Sequence, residues 1–150
     1  MEIQDKLIES TTEIFSSMVM MDIVVKEITT KHGALHDTIT GMIGLAGTHK
    51  GVLAIHIPYE VAMAITGSFL MMEVTEMNDD VHDAIGEVAN MIGGNVKTIL
   101  SEKGRDIDLS LPSTISGAEY SFSSDKEVDK VIIEFDTGKG AFLVEMDLEK

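Results

Sequence analysis

The sequence contains no cysteine and no tryptophan, and of its 150 residues only 2 are prolines and 5% are aromatic. The lack of cysteine excludes thiol catalysis, thiolate metal sites and disulfide bonds, and it is compatible with a reducing cytosol. The remaining composition, 44% hydrophobic and 25% charged, is typical of a globular chain with one core of ordinary size. We therefore expect a single domain over residues 1–150.

Basic residues are also scarce. Lys and Arg total 11 against 26 Asp and Glu, so the formal net charge is −15, and the acidic residues are spread along the chain. A surface of this sign repels phosphate backbones and anionic lipid headgroups. We expect neither a nucleic acid nor a membrane as partner, and a protein with a basic patch is favoured instead.

No long hydrophobic run is present. The most apolar stretch, residues 61–72, is interrupted by Thr66, Gly67 and Ser68, and it falls short of the roughly 20 residues that a membrane helix needs. Residues 1–6 lack the basic and apolar regions of a signal peptide. We expect a cytoplasmic protein.

Hydrophobic periodicity predicts an α+β fold in which a largely antiparallel sheet packs with long helices. Helical spacing of apolar residues covers about residues 2–21, 59–72 and 81–99. The last helix follows N-cap candidates at Asn78, Asp79 and Asp80. Alternating or β-branched segments predict strands at residues 23–30, 38–46, 51–57, 107–111, 120–122, 131–135 and 142–148.

A weak internal repeat indicates that the two halves of the chain fold alike. Residues 48–57, THKGVLAIHI, resemble residues 137–146, TGKGAFLVEM, since each is a Lys-Gly turn followed by an apolar strand. Duplication would place pseudo-repeats of about residues 1–57 and 78–150 around a pseudo-two-fold axis. The first and the long predicted helices carry matching polar spacings, Glu9-x-x-x-Glu13-x-x-Ser16 and Asp83-x-x-x-Glu87-x-x-Asn90.

One face of the long predicted helix is polar and contains a glycine. At about 100° per residue, a stripe roughly 60° wide contains Asp83, Glu87, Asn90 and Gly94. The apolar stripe lies opposite. The pair Gly93 and Gly94 costs the helix about 1 kcal/mol per glycine relative to alanine, which indicates a close approach by another element or a partner. On spacing alone, a solvated face with no function is the alternative.

The long helix resembles the signature of a known family. Residues 83–95, DAIGEVANMIGGN, resemble the motif of the CheC, CheX and FliY phosphatases of bacterial chemotaxis. That motif is Asp or Ser, three residues, Glu, two residues, Asn, then about 22 intervening residues and a proline. Here residues 91–111 separate Asn90 from Pro112, one residue fewer than the pattern. The resemblance covers most of the chain and implies a CheC-like fold with internal pseudo-two-fold duplication, of the CheX branch.

The resemblance also implies an activity, hydrolysis of the aspartyl phosphate on a CheY-type receiver domain. The receiver would supply its own lysine and Mg²⁺, and no cofactor is expected in this chain. Asn90 would orient the attacking water, because a carboxamide both donates and accepts hydrogen bonds without carrying charge. Glu87 would pair with the receiver's lysine, and Asp83 and Gly94 would contact the partner. The alternative is a CheX-like module that binds a receiver or another signalling protein without catalysis.

The first predicted helix carries a degenerate copy of the motif. Glu9, Glu13 and Ser16 occupy its polar stripe, but the Ser16 hydroxyl sits on a shorter stem than a carboxamide. We therefore expect one working site per chain, as in the CheX branch. The same resemblance implies a homodimer, which an exposed strand edge would support.

Histidines and methionines offer weaker signals. His32 and His36 have an i, i+4 spacing, but Gly33 between them indicates a turn, and no metal site is expected. His82 adjoins Asp83 and is either a tuning residue at a partner surface or a surface histidine without a role. The 11 methionines are expected mostly to fill the core, and a Met-rich partner groove is the alternative.

Overall fold

Seven strands form one antiparallel sheet, with the helices packed against one of its faces, in a computed structural model that describes residues 2–101, 106–123 and 127–150. The strands are β1 (Val24–Thr29), β2 (Leu35–Gly47), β3 (Gly51–Pro58), β4 (Ile107–Leu109), β5 (Ser113–Tyr120), β6 (Val128–Asp136) and β7 (Ala141–Glu149). The helices are α1 (Glu2–Ile14), continued by a π-helical turn (Phe15–Val19), α2 (Tyr59–Leu70) and α3 (Asp79–Leu100). The predicted α+β class with an antiparallel sheet is confirmed.

The strand order places the two halves of the chain side by side. It runs β1, β6, β7, β3, β2, β4, and β5 shares with β4 the edge of β2 that faces away from β3. Every strand pair is antiparallel. With β4 and β5 together as the counterpart of β1, this is the order that two related units would produce, and the pseudo-repeats of residues 1–57 and 78–150 stay a prediction.

The core lies between the sheet and the helices. Ile55 and Ile57 on β3, with Phe142 and Val144 on β7, are at most 1% exposed and belong to the same hydrophobic cluster as the inner face of α3. Phe142 also stacks on Phe15, with the ring centroids 5.0 Å apart. Burial of these side chains supplies the main driving force for folding and holds the π-helical turn on the sheet.

Some boundaries differ from those predicted. The helices predicted at residues 2–21 and 59–72 end earlier, because Met20 and Met71 adopt the left-handed conformation with φ of 62° and 57°. The strand predicted at residues 120–122 is wrong: β5 ends at Tyr120, and Phe122 lies beyond it. Hydrophobic periodicity did not predict β5, because β5 is a largely exposed edge strand in which apolar and polar residues hardly alternate.

The exposed methionines depart from the expectation of core filling. Met18, Met20, Met71 and Met72 are 52%, 70%, 89% and 50% exposed. They lie in the π-helical turn or just after the ends of the two helices, where the chain turns away from the core. The prediction was wrong for these four residues. Among the described helices, none is long and apolar enough to cross a bilayer.

Candidate functional site

The polar stripe predicted from the sequence lies on α3, and this helix begins where the sequence indicates. The Asn78 side chain accepts a hydrogen bond from the backbone N–H of Val81 at 3.2 Å, as an N-cap does. Asp79 and Asp80 occupy the first turn, and Lys97 lies in the last, so charges at both ends complement the helix dipole. The sequence thus defines α3 locally, before any tertiary contact.

The inner face of α3 packs closely on β2. Ile85 and Ile92 are fully buried. A Cβ atom added to Gly93 would lie 3.1 Å from Ile43 Cγ2, and one added to Gly41 of β2 would lie 3.1 Å from Ile85 Cγ2. Glycine is therefore present on both sides of the contact, and the helix is held at a short distance from the sheet. This packing fixes which residues of α3 face outward.

The outer face of α3 presents the predicted stripe to solvent. Among the described residues, none forms a hydrogen bond or ion pair with the side chains of Glu87 or Asn90. A Cβ atom added to Gly94 would meet no heavy atom within 4 Å, so the surface beside Asn90 is open. The two glycines have different roles. Gly93 permits close packing of α3 on the sheet, while Gly94 leaves the outer surface of α3 without a side chain at that position. The exposed members of the stripe are Asp83, Glu87, Asn90 and Gly94.

His82 fastens the start of α3 to β5. Its Nδ1 lies 2.7 Å from Thr114 Oγ1, and its Nε2 lies 3.1 Å from Ser116 Oγ. The side chain is half-buried. Neither sequence alternative described this contact, because its partners Thr114 and Ser116 lie 32 and 34 residues further along the chain, on a strand that packs beside the helix. His82 therefore supports the helix that carries Asp83 and Glu87.

The acidic residues of α1 also face outward, beside α3. Glu9 and Glu13 line a cleft of about 370 Å³ together with Asn95 and Thr98 of α3. Ser16 lies on the π-helical turn. Because a π turn pairs residue i with i+5, its angular step differs from that of an α-helix. Ser16 therefore does not continue the line of Glu9 and Glu13 as Asn90 continues that of Asp83 and Glu87.

A buried polar cluster lies on the sheet face that points away from the helices. His32 Nε2 and His56 Nε2 lie 2.7 Å and 3.0 Å from Glu145 Oε1, and Lys130 Nζ lies 3.0 Å from Glu145 Oε2. Burial would raise the pKa of Glu145, but hydrogen bonds from His56, Asp147 and Lys130 outweigh it and lower that pKa to about 2. Burial lowers the pKa of His56. This face of the sheet thus carries a buried group of titratable side chains that is separate from the stripe on α3.

Sequence reasoning did not find this cluster. It considered His32 with His36, whereas His36 lies beside Glu119 at 3.4 Å on the exposed edge of the sheet. A signal was present in the repeat, which aligns His56 with Glu145 as polar residues in otherwise apolar strands. Equivalent positions on neighbouring central strands lie close together, so the pair could have been suspected.

Comparison with known proteins identifies the family. The model of the family described as chemotaxis phosphatase CheX matches residues 39–136, which is more than half of the chain and includes all of α3. This chain belongs to the CheX family. Membership agrees with the resemblance at residues 83–95, and the structure places Asp83, Glu87 and Asn90 of that motif on the outer face of α3.

Individual CheX relatives are distant in sequence and similar in structure. CheY-P phosphatase CheX of Thermotoga maritima is 26% identical over 100 residues, which cover 66% of this chain and 64% of that protein. The chain thus matches less than two thirds of that relative's length. A crystal structure of the chemotaxis protein CheX from Desulfovibrio desulfuricans is 27% identical with a TM-score of 0.87, covering 99% of this chain and 100% of that one.

A second CheX structure comes from a complex. The Borrelia burgdorferi CheX–CheY–BeF3–Mg²⁺ crystal structure contains a chain that is 21% identical with a TM-score of 0.86, covering 99% of this chain and 98% of that one. Together with a CheC-like superfamily protein from Shewanella, at 24% identity and a TM-score of 0.87, it confirms the CheC-like fold that the sequence motif implied.

Proposed function

We propose that this CheX-family protein hydrolyses the aspartyl phosphate of a CheY-type receiver domain, with the outer face of α3 entering the receiver's site. One observation carries the proposal: Glu87 and Asn90 lie one turn apart on the exposed side of a helix whose other side is fixed in the core. The Thermotoga maritima relative is named for this activity.

Asn90 is the residue assigned to the attacking water. Hydrolysis of an acyl phosphate asks mainly for positioning and charge stabilisation. A carboxamide accepts a hydrogen bond from the water through its oxygen and donates another through its nitrogen. Because it is neutral, it does not repel the phosphoryl group as a carboxylate would. The receiver supplies the Mg²⁺ and the lysine that stabilise the developing charge.

Glu87 and its neighbours are assigned to docking. Glu87 is one turn from Asn90, so its carboxylate pairs with the receiver's lysine and sets the angle of α3 over the phosphate. Asp83, one turn earlier, contacts the partner surface, and Gly94 leaves room for close approach. The net charge of −15 favours a partner with a basic surface and speeds its encounter with α3.

The proposal extends to the setting in which the protein acts. A CheY-type substrate places it in the cytoplasm, and the CheX family resemblance implies a homodimer. Among the described strands, the sheet has two edges that a second copy could extend, β1 on one side and β4 with β5 on the other.

The test is the decay of a phosphorylated CheY-type receiver in the presence of Mg²⁺, with wild type, Asn90→Ala or Asn95→Ala. Asn95 is a matched control, because it is an exposed asparagine of the same helix that lies about 140° around the axis from Asn90. Wild type and Asn95→Ala should speed decay at least about tenfold, which is about 1.4 kcal/mol of barrier. Asn90→Ala should bind the receiver without speeding decay.

Two results would contradict these assignments. If wild type binds the phosphorylated receiver but does not speed its decay, the protein is the non-catalytic binding module. If Asn95→Ala loses as much activity as Asn90→Ala, the water-positioning role of Asn90 is wrong, and a general defect of α3 explains the loss.

A further inference from the structure

We infer that His32, His56 and Glu145 form a binding site for a divalent transition-metal ion such as Zn²⁺, on the sheet face opposite α3. His56 and Glu145 alternate along β3 and β7 with the core residues Ile55 and Val144, so they point away from the helices. His32 reaches them from the connection between β1 and β2. The site is separate from the stripe proposed for phosphatase activity.

The three side chains already have the arrangement of a ligand set. One ligand atom from each lies within 4.8 Å of the other two. The side chains of His32, His56 and Glu145 are 10%, 1% and 0% exposed. Both histidines direct Nε2 at the same carboxylate oxygen, Glu145 Oε1. Lys130 Nζ lies beside the other oxygen, Oε2. Oε1 is therefore the oxygen available to a shared cation.

The contact made by His32 Nδ1 determines which ring nitrogen of neutral His32 carries the hydrogen. Nδ1 lies 2.9 Å from the backbone carbonyl oxygen of Gly33. A carbonyl only accepts hydrogen bonds, so Nδ1 carries the hydrogen and donates it. In neutral imidazole, Nε2 then presents a lone pair to a carboxylate oxygen 2.7 Å away. Two lone pairs at that distance repel each other unless a positive centre lies between them.

His56 Nδ1 has a hydroxyl partner. Thr40 Oγ1 lies 2.8 Å from His56 Nδ1 and 2.6 Å from Tyr120 Oη, and Tyr120 Oη lies 3.2 Å from the carbonyl oxygen of Thr38. When Tyr120 donates to Thr38, Thr40 donates to Tyr120 and accepts from His56 Nδ1, so the Nε2 lone pair faces Glu145. When Tyr120 donates to Thr40 instead, His56 Nε2 carries the hydrogen and donates it to Glu145. An ion bound at Nε2 selects the first arrangement.

This pattern is the one found around metal-bound histidines. Such a residue donates its free ring N–H to a carbonyl or another acceptor, which fixes the tautomer and turns the lone pair toward the metal. Here both Nδ1 atoms have protein acceptors, and both Nε2 atoms converge. The rival is a cluster held by hydrogen bonds alone, in which the Nε2–H groups of His32 and His56 both donate to Glu145 Oε1.

The chemistry of the ligands selects the class of ion. Two imidazole nitrogens, one carboxylate oxygen and no sulfur suit Zn²⁺ or a related first-row ion, with water as a fourth ligand. Metal–ligand bonds of about 2.0 Å in a tetrahedron place the ligand atoms about 3.3 Å apart. They lie 2.7 Å and 3.0 Å apart at present. Small movements of the His32 and Glu145 side chains supply the difference.

A route for the ion and its water is present. His32 and His56 line a cavity of about 320 Å³, and Glu27 and Glu134 lie on its walls with Lys31. The two carboxylates attract a cation into the cavity. A bound ion would tie the connection carrying His32 to the two central strands of the sheet, and it would therefore raise the stability of the fold.

The experiment uses the full chain after treatment with a chelator. Titration with Zn²⁺ by calorimetry should show one ion per chain, and Co²⁺ should give the visible absorption of a tetrahedral site. His32→Ala should weaken Zn²⁺ binding at least about tenfold. His36→Ala is the matched control, since His36 is four residues away and exposed beside Glu119. It should bind Zn²⁺ as wild type does. Zn²⁺ should raise the melting temperature of wild type and of His36→Ala only.

A second variant guards against loss of fold. Glu145→Gln keeps the shape of the side chain and removes its charge, and it should also lose the Co²⁺ spectrum while its circular dichroism stays native. Absence of stoichiometric binding, or equal weakening by His36→Ala, would overturn the inference. So would nitrogen NMR of the metal-free protein that places a hydrogen on Nε2 of both rings and shows no change when Zn²⁺ is added. None of these results depends on receiver dephosphorylation.

Discussion

Ile55 of β3 lies directly opposite Val144 of β7 at the centre of the sheet, and the same two residues are equivalent in the sequence repeat of residues 48–57 and 137–146. A two-fold axis that relates two antiparallel strands passes between one residue and its own equivalent, so the predicted duplication would have its axis at this pair. The same axis would relate α1 to α3. The exposed stripes of these two helices would then be equivalent surfaces, of which only one carries the carboxamide.

The first prediction concerns the degenerate stripe on α1. Ser16→Ala should leave receiver dephosphorylation unchanged, because Ser16 has a short hydroxyl stem and lies on a π-helical turn out of line with Glu13. The measurement is the decay rate of the phosphorylated receiver, with Asn90→Ala as the inactive reference. A loss with Ser16→Ala comparable to that of Asn90→Ala would mean that both helices act.

The second prediction concerns the charge of Glu87. Glu87→Gln should weaken productive receiver binding about tenfold, because a charge-assisted bond to the receiver's lysine becomes a neutral one. The dependence of decay rate on protein concentration measures the change. Glu60→Gln, an exposed glutamate of α2, is the control for a change of net charge alone. If both variants weaken binding to the same extent, Glu87 has no specific partner.

The third prediction separates the two neighbouring glycines of α3. Gly94→Ala should raise the free energy of unfolding by up to about 1 kcal/mol, since alanine favours the helix and its Cβ meets open space. Gly93→Ala should lower it by about 1 kcal/mol or more, because its Cβ would lie 3.1 Å from Ile43 Cγ2 in a filled core.

Urea denaturation of both variants checks this difference, and the decay assay adds a functional arm. A bulky side chain in Gly94→Leu should leave the fold intact and reduce receiver dephosphorylation at least about tenfold. Full activity in Gly94→Leu would show that the partner does not approach α3 at this position.

The fourth prediction concerns the attachment of β5. His82→Ala removes the hydrogen bonds with Thr114 and Ser116. Because two hydrogen bonds are lost, the free energy of unfolding should fall by about 1 to 3 kcal/mol. Thermal or urea denaturation measures the loss. His49→Ala, in an exposed turn, should change stability by less than about 0.5 kcal/mol, and an equal effect of both variants would contradict the assigned role.

The fifth prediction concerns the proposed homodimer. β1 is the edge with the more exposed apolar side chains, since Val24, Val25 and Ile28 are 65%, 39% and 40% exposed. Val24→Lys should weaken the dimer at least about tenfold by placing like charges across a two-fold interface. Sedimentation equilibrium checks this, with Ile115→Lys on β5 as the control at the other edge. Dissociation by Ile115→Lys alone would assign the dimer to β5.

How far the sequence could predict the site is clearest on α3. Its N-cap, its apolar stripe and its exposed stripe are local properties, so the positions of Glu87, Asn90 and Gly94 followed from helical geometry alone. β5 could not be predicted, because an edge strand is half-exposed and its sequence lacks the alternation that a buried face imposes. Its contact with His82 was therefore also out of reach.

The amino-acid sequence by itself determined the α+β class, the amphipathic faces of α3 and the acidic character of the surface, since each depends on composition or on neighbours within two helical turns. Only the tertiary structure decided which glycine packs inward and why the methionines after α2 stay exposed. It alone assembled His32, His56 and Glu145. These three residues lie on separate segments, which the pairing of β3 with β7 and the turn after β1 bring together. No local sequence pattern predicts a contact between segments so far apart in the chain.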